Sequence, residues 1–573
     1  MSTATSTATS TASAPPGSPP RGGRSAAPAT GAEVLVATLV AHGVDRIFCV
    51  AGESYLDVLD VLHDTPGIDV VASRHEGSAG FAALADAKLT RRAGVVLVNR
   101  GPGATNAAIA LHSAQQDATP LLLVVGHVRH SEIGRGGFQE MNYELTFGDV
   151  AKGIWTVTDA RRVGETVRRA LRLAEAGAPG PVVVVVPEDL LGQATAAEPA
   201  APVPAANPGY LPDDVLRCAA LLAQARTPLL VVGDRLGDDS GREAIRYAAQ
   251  RLRLPVVTAN KRQDLVDNDH SGYAGHLHLG TDAARWELFD EADLVLAIGT
   301  RLDAITSRSF NWPDPARSRL VHVYPDPAWL GRVHRPDLPV LADPGTFLTA
   351  LTDACEVNPD RWSGWTSRLR ARQVESTRWH PVHAPDGVPF GAVVTAIDAT
   401  LDDAVFTVDA GNFSTWVHRY LRTTGRRRLL GMSGGAMGFG VPGGVAAALR
   451  EPHRRVVTFV GDGGFLMTGT ELATAVARRS RLIVVVADNG SYGTIRQHQE
   501  RAYPGRRVAT DLANPDFAAM AWAFGATGLS VRCVEDIEQA VPVAVDCDGP
   551  VVVHVRTSLE WISAYQQLPG VER

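Results

Sequence analysis

Residues 455–464 read RVVTFVGDGG, an apolar strand that ends in a glycine-rich turn, and they decide the fold of this chain. A second apolar strand and turn, LIVVVADNGS, follow at residues 482–491. The stretch between them, residues 465–481, has a helical pattern in which Thr468 and Glu471 stand at capping-box spacing. A strand–helix–strand unit makes the two strands parallel, so both turns lie at the carboxyl edge of one sheet.

One oxygen-bearing side chain follows each strand at that edge, where open α/β sheets bind ligands. Asp462 and Asn489 supply a carboxylate and an amide oxygen, which are ligands that Mg²⁺ prefers. Gly463 and Gly464 leave the backbone free to approach a phosphate closely. An ordinary Asp-Gly turn explains the first motif alone equally well. The matching Asn behind a second strand favours a metal and phosphate site.

The spacing of the two turns resembles a known cofactor motif. GDG followed by 25 residues and then Asn is similar to the thiamin diphosphate (ThDP) motif of the thiamin-dependent decarboxylases and carboligases. The resemblance implies that Asp462, Asn489 and the main-chain oxygen of Ser491 hold Mg²⁺, which bridges the diphosphate of the cofactor.

Length and composition exclude several classes of protein. A chain of 573 residues suits three domains, and a hydrophobic content of 45% with 20% charged residues describes a soluble globular protein. The net charge of −7 argues against a nucleic-acid partner, and the sequence offers no stretch of about 18 apolar residues that predicts a membrane span. The five cysteines form no CxxC pair, which fits a reduced cytoplasm and excludes a cysteine zinc site.

Apolar strand candidates alternate with Ala- and Leu-rich helical stretches along most of the chain, which is typical of α/β domains. We predict an α/β fold of three doubly wound parallel-sheet domains. The resemblance identifies them as a pyrimidine-binding domain (31–192), a central domain (209–352) and a diphosphate-binding domain (386–573). Residues 1–30, rich in Ser, Thr, Ala and Pro, are predicted to be a disordered tail, with a plastid or mitochondrial transit peptide as the second interpretation.

Two residues of the first domain match positions that contact the pyrimidine end of the cofactor in the resembling family. Glu76 follows a predicted strand at residues 68–72; taken alone, it is most simply a solvated loop residue. In the family a Glu here hydrogen-bonds N1′ of the aminopyrimidine and so acts through the cofactor as a general acid and base. Gly52 belongs to a strand-to-helix turn similar to the family's loop over the pyrimidine.

The third domain carries two further segments that resemble the family. Gly411, Asn412 and Ser414 occupy a loop that ties down the diphosphate, although this chain has Phe413 where the acetohydroxyacid synthases have a His. Met437, in a glycine-rich segment, matches the apolar residue that holds the cofactor bent. Core packing is the simpler explanation for a lone Met, but glycine-rich surroundings are unsuited to a helix interior.

Three residues are candidates for contact with substrate. Gln139 lies in a Phe-Gln pair that resembles a pair near the substrate channel of the acetohydroxyacid synthases. His498 stands where those enzymes have a Trp that favours 2-oxobutyrate, so the acceptor preference is open. His112 and His498 are also the candidates for a proton donor.

The central domain resembles the family least. Acetohydroxyacid synthases bind a non-redox FAD through a turn and a strand end. Of their residues this chain keeps Arg301, Asp303 and Asp326 but not the second Asp-Arg pair. We therefore expect FAD to be absent or weakly bound.

The best hypothesis from the sequence is an enzyme that depends on ThDP and Mg²⁺ and is similar to the acetolactate (acetohydroxyacid) synthases. It would decarboxylate a 2-oxoacid, pyruvate, and join the resulting enamine to a second carbonyl compound. A non-ligating 2-oxoacid decarboxylase or C–C lyase of the same family is the alternative. The family builds its site between subunits, so we expect a homodimer or homotetramer in the cytoplasm, with no nucleic-acid or membrane partner.

Two hypotheses from other classes are disfavoured. A catalytically silent cofactor-binding subunit would be expected to lack Glu76, Asp462 or Asn489, and all three are present. A Rossmann dinucleotide-binding protein would need a GxGxxG turn between strand and helix with an acidic residue about 20 positions later, and no such arrangement is found.

Overall fold

A computed structural model describes residues 29–568 and contains three sheets of six parallel strands each. The strands are β1 (Arg46–Cys49), β2 (Asp69–Ala72), β3 (Gly94–Asn99), β4 (Leu121–His127), β5 (Gly153–Thr156), β6 (Pro181–Pro187), β7 (Pro228–Val232), β8 (Val256–Thr258), β9 (Tyr273–His276), β10 (Leu294–Ile298), β11 (Arg319–Tyr324), β12 (Leu338–Leu341), β13 (Ala404–Val408), β14 (Arg428–Gly431), β15 (Arg455–Gly461), β16 (Leu482–Asp488), β17 (Thr527–Val531) and β18 (Val551–Arg556).

Helices connect the strands and cover the sheets. They are α1 (Gly31–Ala41), α2 (Leu56–His63), α3 (Glu76–Thr90), α4 (Arg100–Asp117), α5 (Tyr143–Phe147), α6 (Val163–Glu175), α7 (Glu188–Gly192), α8 (Pro212–Gln224), α9 (Asp239–Leu252), α10 (Ala283–Phe289), α11 (Pro344–Ala354), α12 (Ser363–Thr377), α13 (Phe390–Thr400), α14 (Ser414–Tyr420), α15 (Gly440–Arg450), α16 (Asp462–Thr468), α17 (Leu472–Ala477), α18 (Gly493–Ala502), α19 (Phe517–Phe524) and α20 (Asp536–Asp546). Within residues 29–568, none of these helices is both long and apolar enough to cross a bilayer.

The order of strands confirms the predicted fold class. The first sheet runs β2-β1-β3-β4-β6-β5, and the third repeats this order as β14-β13-β15-β16-β18-β17. The central sheet runs β12-β11-β10-β7-β8-β9. Central strands such as β4 and β16 are buried along their whole length, as expected for parallel sheets covered on both faces. All three domains are therefore doubly wound α/β units.

The predicted helix between β15 and β16 is broken, and the capping box is not formed. The helical chain starts earlier, at Asp462, and changes to a 3₁₀ turn at Gly469–Glu471 before α17. The Thr468 hydroxyl donates to the carbonyl of Gly438, while Glu471 accepts a hydrogen bond from the main-chain N–H of Arg74 in the first domain. Tertiary partners thus replace the local pair that the sequence spacing suggested.

The strands of the three sheets fall within the three predicted domain ranges, whose boundaries stay a prediction. Of the predicted disordered tail only residues 29 and 30 are described, and Thr30 caps the N-terminus of α1. Beyond the predicted central range, α12 packs Trp365 and Leu369 into the core of the central sheet.

The first and third domains share one core. Helix α3 packs against α15, and the ring of Phe81 meets that of Phe439 edge-on at 6.2 Å. Ion pairs from Arg450 to Asp45 and Asp86 close the rim of this contact. Helix α3, which begins at Glu76, is thereby packed against the third domain.

Candidate functional site

A cavity of about 230 Å³ lies at the carboxyl edge of the third sheet. It is bordered by the turns that follow β13, β15 and β16, together with the segment before α15 and the start of α18. Its lining consists of Ala410, Gly411, Asn412, Phe413, Gly435, Met437, Gly461, Asp462, Gly463, Gly464, Ala487, Asn489, Ser491, Tyr492, Gly493, Thr494 and Ile495. Eight residues predicted to bind the cofactor or its metal are thus brought together in one place.

The Asp462 carboxylate is held by main-chain and side-chain donors. Oδ1 accepts from the N–H of Gly463 at 2.9 Å, while Oδ2 accepts from the N–H of Gly490 at 2.9 Å and from Asn514 Nδ2 at 2.8 Å. Burial is the largest effect on its pKa, and it raises the pKa of Asp462 to about 6 in spite of these donors. A buried carboxylate that resists ionisation gains from a cation placed beside it.

The other two predicted metal ligands lie in the turn after β16. The side-chain oxygen of Asn489 accepts from the N–H of Ser491 at 3.0 Å, and the carbonyl of Ser491 accepts from the N–H of Gly493 at 2.7 Å. Both oxygens keep a second lone pair. Within residues 29–568 no group of three or more His, Cys, Asp or Glu side chains could hold a metal, so any cation here would rely on this mixed oxygen set.

A second buried carboxylate, that of Asp488, stands behind the first, and it was not predicted from the sequence. Asp488 accepts from His554 Nε2 at 2.8 Å, Arg556 Nη1 at 2.9 Å and Asn514 Nδ2 at 2.8 Å. Burial acts to raise its pKa, but these partners outweigh it and hold the pKa of Asp488 at about 2. This carboxylate is therefore ionised and fully occupied by protein donors.

Met437 lies in an irregular segment that is anchored by a buried Asp. Asp409, the first residue after β13, accepts from the N–H of Gly438 with both oxygens and from the N–H of Ala410. Burial raises the pKa of Asp409 to about 6. Its place directly after a strand of the third sheet is the same signal that identified Asp462, so the sequence could have revealed it.

Glycines leave room in the cavity where side chains would fill it. A Cβ on Gly463 would stand 2.5 Å from the ring of Tyr492 and 3.4 Å from Met437, and one on Gly464 would stand 2.9 Å from Asp409. Gly411 has φ +145° and its Cβ would meet the ring of Phe413 at 2.9 Å. Gly411, Gly463 and Gly464 form a glycine cradle, which fits a group that approaches the backbone closely, as a diphosphate does.

The loop after β13 is tied to α18. Asn412 donates from Nδ2 to Gln497 at 2.6 Å and accepts at Oδ1 from the hydroxyl of Thr494 at 3.0 Å. Ser414 donates its hydroxyl to the carbonyl of Gly411 at 2.7 Å and is not part of the cavity lining. Asn412 thus lines the cavity with an amide already engaged, and a diphosphate contact for Ser414 stays a prediction.

The first-domain candidates do not line this cavity. Glu76 is the first residue of α3 and accepts from Asn106 Nδ2 at 2.9 Å, and its other oxygen lies 3.3 Å from where a Cβ on Gly103 would stand. Gly52 precedes a 3₁₀ turn and packs against Asn99, with no space for a Cβ. These residues form a separate group at the carboxyl edge of the first sheet.

The predicted substrate residues are dispersed. Gln139 has φ +64° and its side chain contacts Asn99 at 3.5 Å, near Gly52. His112 is exposed on α4 and His498 is exposed on α18. None of these three side chains lines the cavity that contains Asp462.

The central-domain residues considered for FAD are engaged with the protein. Arg301 donates to the carbonyls of Gln115 and Gln116 and lies over the Trp329 ring at 4.7 Å. Asp303 accepts from the main chain of the turn that follows it. Asp326 accepts from the N–H groups of Ala178 and Ala328. The expectation that FAD is absent or weakly bound stays a prediction.

Comparison with known families matches all three domains. The descriptions that fit are "Thiamine pyrophosphate enzyme, N-terminal TPP binding domain" at residues 29–145, the corresponding central domain at residues 215–351, and the C-terminal TPP binding domain at residues 409–555. The chain belongs to the thiamine pyrophosphate enzymes and is a ThDP-dependent enzyme.

Individual relatives show to which family within the ThDP-dependent enzymes the chain belongs. The chain is 32% identical to an acetolactate synthase large subunit of Parasynechococcus marenigrum over 92% of this chain and 88% of the relative. It is 30% identical to the acetolactate synthase isozyme 2 large subunit of Escherichia coli, over 92% of this chain and 95% of the relative. It is also 30% identical to a putative thiamine pyrophosphate-containing protein of Bacillus subtilis, over 92% of this chain and 92% of the relative. Within the class, the chain is a member of the acetolactate synthase-like family.

Proposed function

We propose that this enzyme uses ThDP and Mg²⁺ to decarboxylate a 2-oxoacid, pyruvate, and joins the remaining carbon unit to a second carbonyl compound. The observation that carries the proposal is the single cavity lined by Asp462, Asn489, Ser491 and the glycine cradle. Acetolactate synthase relatives at about 30% identity support the same chemistry.

The metal assignment rests on the donor set. Asp462 contributes one carboxylate and Asn489 and Ser491 contribute neutral oxygens, which suits a hard divalent cation bridging an anionic diphosphate. The positive-φ turn at Gly490 and the small residues around Asp462 leave the backbone accessible. ThDP, when bound, supplies an electron sink for the carbon bond that is broken and for the one that is made.

Glu76 is the residue to which we assign the transfer of protons. Its carboxylate stands at the start of α3 and is oriented by the amide of Asn106. In this position it would hold a proton at the pyrimidine ring and so act as a general acid and base through the cofactor. Met437 would orient the two rings and bring their reacting atoms together.

A complete site requires a second subunit in this proposal. The cavity that contains Asp462 is lined by third-domain residues alone, while Glu76 and Gly52 lie at the edge of the first sheet. A homodimer in which the first domain of one subunit faces the third domain of the other would bring these groups together. A homotetramer would contain two such pairs. We place this assembly in the cytoplasm because the five cysteines are all free.

A non-ligating decarboxylase or C–C lyase is the second candidate function. Its distinctive step is protonation by a side chain in place of capture by a second carbonyl compound. The exposed positions of His112 and His498 suit such a donor only if the partner subunit covers them. Gln139 would then contact the substrate in either reaction.

The experiment that tests the proposal is turnover of pyruvate by the purified protein with ThDP and Mg²⁺. Carbon dioxide release is followed, and the product is identified by mass spectrometry. Acetolactate supports carboligation, whereas acetaldehyde supports the simple decarboxylase. Pyruvate left unchanged by protein that binds ThDP would reject pyruvate as donor, and a panel of 2-oxoacids would follow. Adding FAD to each assay tests whether the flavin is required.

A further inference from the structure

The carboxylates of Asp462 and Asp488 share the same two N–H donors. The main-chain N–H of Gly490 donates to Asp462 Oδ2 at 2.9 Å and to Asp488 Oδ1 at 3.0 Å. Asn514 Nδ2 donates to the same two oxygens, at 2.8 Å each. Two like charges are thus bridged twice, and each bridge reduces their repulsion.

The orientation of the Asn514 amide follows from chemistry. Both of its neighbours are carboxylates, which accept hydrogen bonds when ionised, so the NH₂ end must face them. The remaining oxygen of Asp488 is occupied by His554 and Arg556 from β18. Asp488 is therefore a fixed acceptor, and Asn514 connects it to Asp462.

The segment around Asn514 also supports the metal turn. The carbonyl of Thr510 accepts from the N–H of Tyr492 at 2.8 Å and from the hydroxyl of Ser491 at 2.8 Å. The N–H of Leu512 donates to the carbonyl of Gly490 at 2.8 Å. The segment 510–514 thus makes two sets of contacts. Thr510 and Leu512 hold the turn that contains Ser491, and Asn514 holds the side chain of Asp462.

We infer that Asn514 is a positioning residue for the metal-binding carboxylate of Asp462, acting together with Asp488 as its fixed anchor. The inference rests on the proposed function, because it takes Asp462 as a ligand of Mg²⁺. With one Asp462 oxygen engaged by Asn514 and Gly490, the carboxylate has a single orientation toward the cavity. A residue that orients a ligand in this way typically accounts for a tenfold to hundredfold change in metal affinity.

The experiment compares wild type with Asn514→Ala and Asn514→Leu, the latter of similar size but without the donor. ThDP binding is measured by equilibrium dialysis at increasing Mg²⁺ in the full-length protein. The expected result is a roughly tenfold or larger increase in the Mg²⁺ concentration for half-maximal binding, with saturation at high Mg²⁺. An unchanged Mg²⁺ requirement in both variants overturns the inference.

A double variant separates charge bridging from packing. If Asn514 acts by bridging two negative charges, Asp488→Asn removes one of them and makes Asn514 less important. The further loss caused by Asn514→Ala in the Asp488→Asn background should then be smaller than in wild type. Equal losses in both backgrounds contradict the bridging role.

Asn268→Ala is the matched control. This half-buried amide also makes several hydrogen bonds, with Gln263, Val266 and Thr423, at a distance from the metal turn. It should lower the melting temperature as Asn514→Ala does and leave the Mg²⁺ requirement unchanged. If wild type itself binds ThDP without dependence on Mg²⁺, the proposed function fails; if wild type is Mg²⁺-dependent and Asn514 variants match it, only this inference fails.

Discussion

Asp409 accepts hydrogen bonds from the main-chain N–H of Gly438 with both of its carboxylate oxygens, at 3.0 and 2.9 Å. This contact joins the turn after β13 to the irregular segment that carries Met437. Two walls of the cavity therefore depend on one buried carboxylate. Gly438 donates this N–H with φ +93°, a backbone conformation that favours glycine over other residues.

Asp409→Ala should loosen the Met437 segment and weaken ThDP binding. Removing this acceptor leaves the N–H groups of Gly438 and Ala410 without it, at a cost of about 1 to 3 kcal/mol of unfolding free energy. Because burial raises the pKa of Asp409 to about 6, loss of its buried charge offsets part of this cost near neutral pH. Urea unfolding and ThDP titration measure the two effects. Asp402→Ala, an exposed change before the same strand, serves as control, and equal ThDP affinity in both variants would contradict this role.

Glu76→Gln should retain ThDP binding and lose most turnover. The amide keeps the size of the carboxylate but cannot exchange a proton, and general acid–base catalysis contributes about 10²- to 10⁴-fold in rate. Initial rates of CO₂ release and ThDP affinity are measured side by side. The exposed Glu165→Gln in the same domain should behave as wild type. Turnover unchanged in Glu76→Gln would remove this residue from the proton chemistry.

Gly463→Ala should close the cradle. Its Cβ would stand 2.5 Å from the ring of Tyr492, which lines the cavity, so this ring must shift, and the new methyl group would also reach Met437 at 3.4 Å. We expect ThDP affinity to fall at least tenfold, measured by calorimetric titration. Gly364→Ala, in the first turn of helix α12 with nothing within 4 Å of the new methyl group, should leave affinity unchanged.

Asp462→Ala should abolish Mg²⁺-dependent ThDP binding without unfolding the protein. The donors of Gly490 and Asn514 both retain Asp488 as acceptor, whereas the N–H of Gly463 loses its acceptor. Burial raises the pKa of Asp462 above its ordinary value, so its ionised form opposes folding near neutral pH. The free energy of unfolding of the metal-free variant should therefore be within about 1 kcal/mol of wild type or above it. Normal ThDP affinity would overturn the metal assignment.

Periodicity and turn chemistry predict much of this fold because the central strands are continuous apolar runs. The strand predicted at residues 68–72 is β2, Asp69–Ala72, and the two apolar strands predicted within residues 455–464 and 482–491 are β15 and β16. The edge strands Gly153–Thr156, Tyr273–His276 and Leu338–Leu341 have four residues each and were not predicted. Edge strands are short and less uniformly apolar, so their pattern is weaker than that of central strands.

The candidate site was predictable where a residue follows a central strand. Asp462 and Asn489 do so, and the sheet places them at one edge. Asn514 and His554 could not be found in this way, because Asn514 lies in an irregular segment and His554 is inside a strand. Their approach to Asp488 depends on tertiary packing between β16, β18 and the segment before α19, which no local spacing records.

Acid should destabilise the contact between the central and third domains through three buried histidines. His276 and His278 stack at 4.2 Å, and His418 of α14 lies 5.6 Å from His276. Burial is the largest cause that lowers the pKa of each histidine, and it lowers that of His418 to about 3. The nearby cation Arg285 also lowers the pKa of His276 and His278, and Lys261 lowers that of His418.

The direction of this pH dependence follows from the protons that the folded and the unfolded chain bind. Above about pH 6.5 the three histidines are neutral both folded and unfolded, so stability does not depend on them. As pH falls below this value the unfolded chain binds protons that the folded chain excludes. Stability should drop by up to about 1.4 kcal/mol per pH unit for each histidine, and for His418 this continues toward pH 3.

His418→Gln should reduce that acid sensitivity. Nε2 of His418 has no hydrogen-bond partner within residues 29–568, so a proton added there would create an unsatisfied buried charge that glutamine cannot develop. Between pH 6.5 and 5.0 the variant should lose about 1.6 kcal/mol less unfolding free energy than wild type, measured by urea unfolding. The exposed His453→Gln should lose as much as wild type. If His418→Gln showed the wild-type dependence on pH, the histidine cluster would not be the source of acid sensitivity.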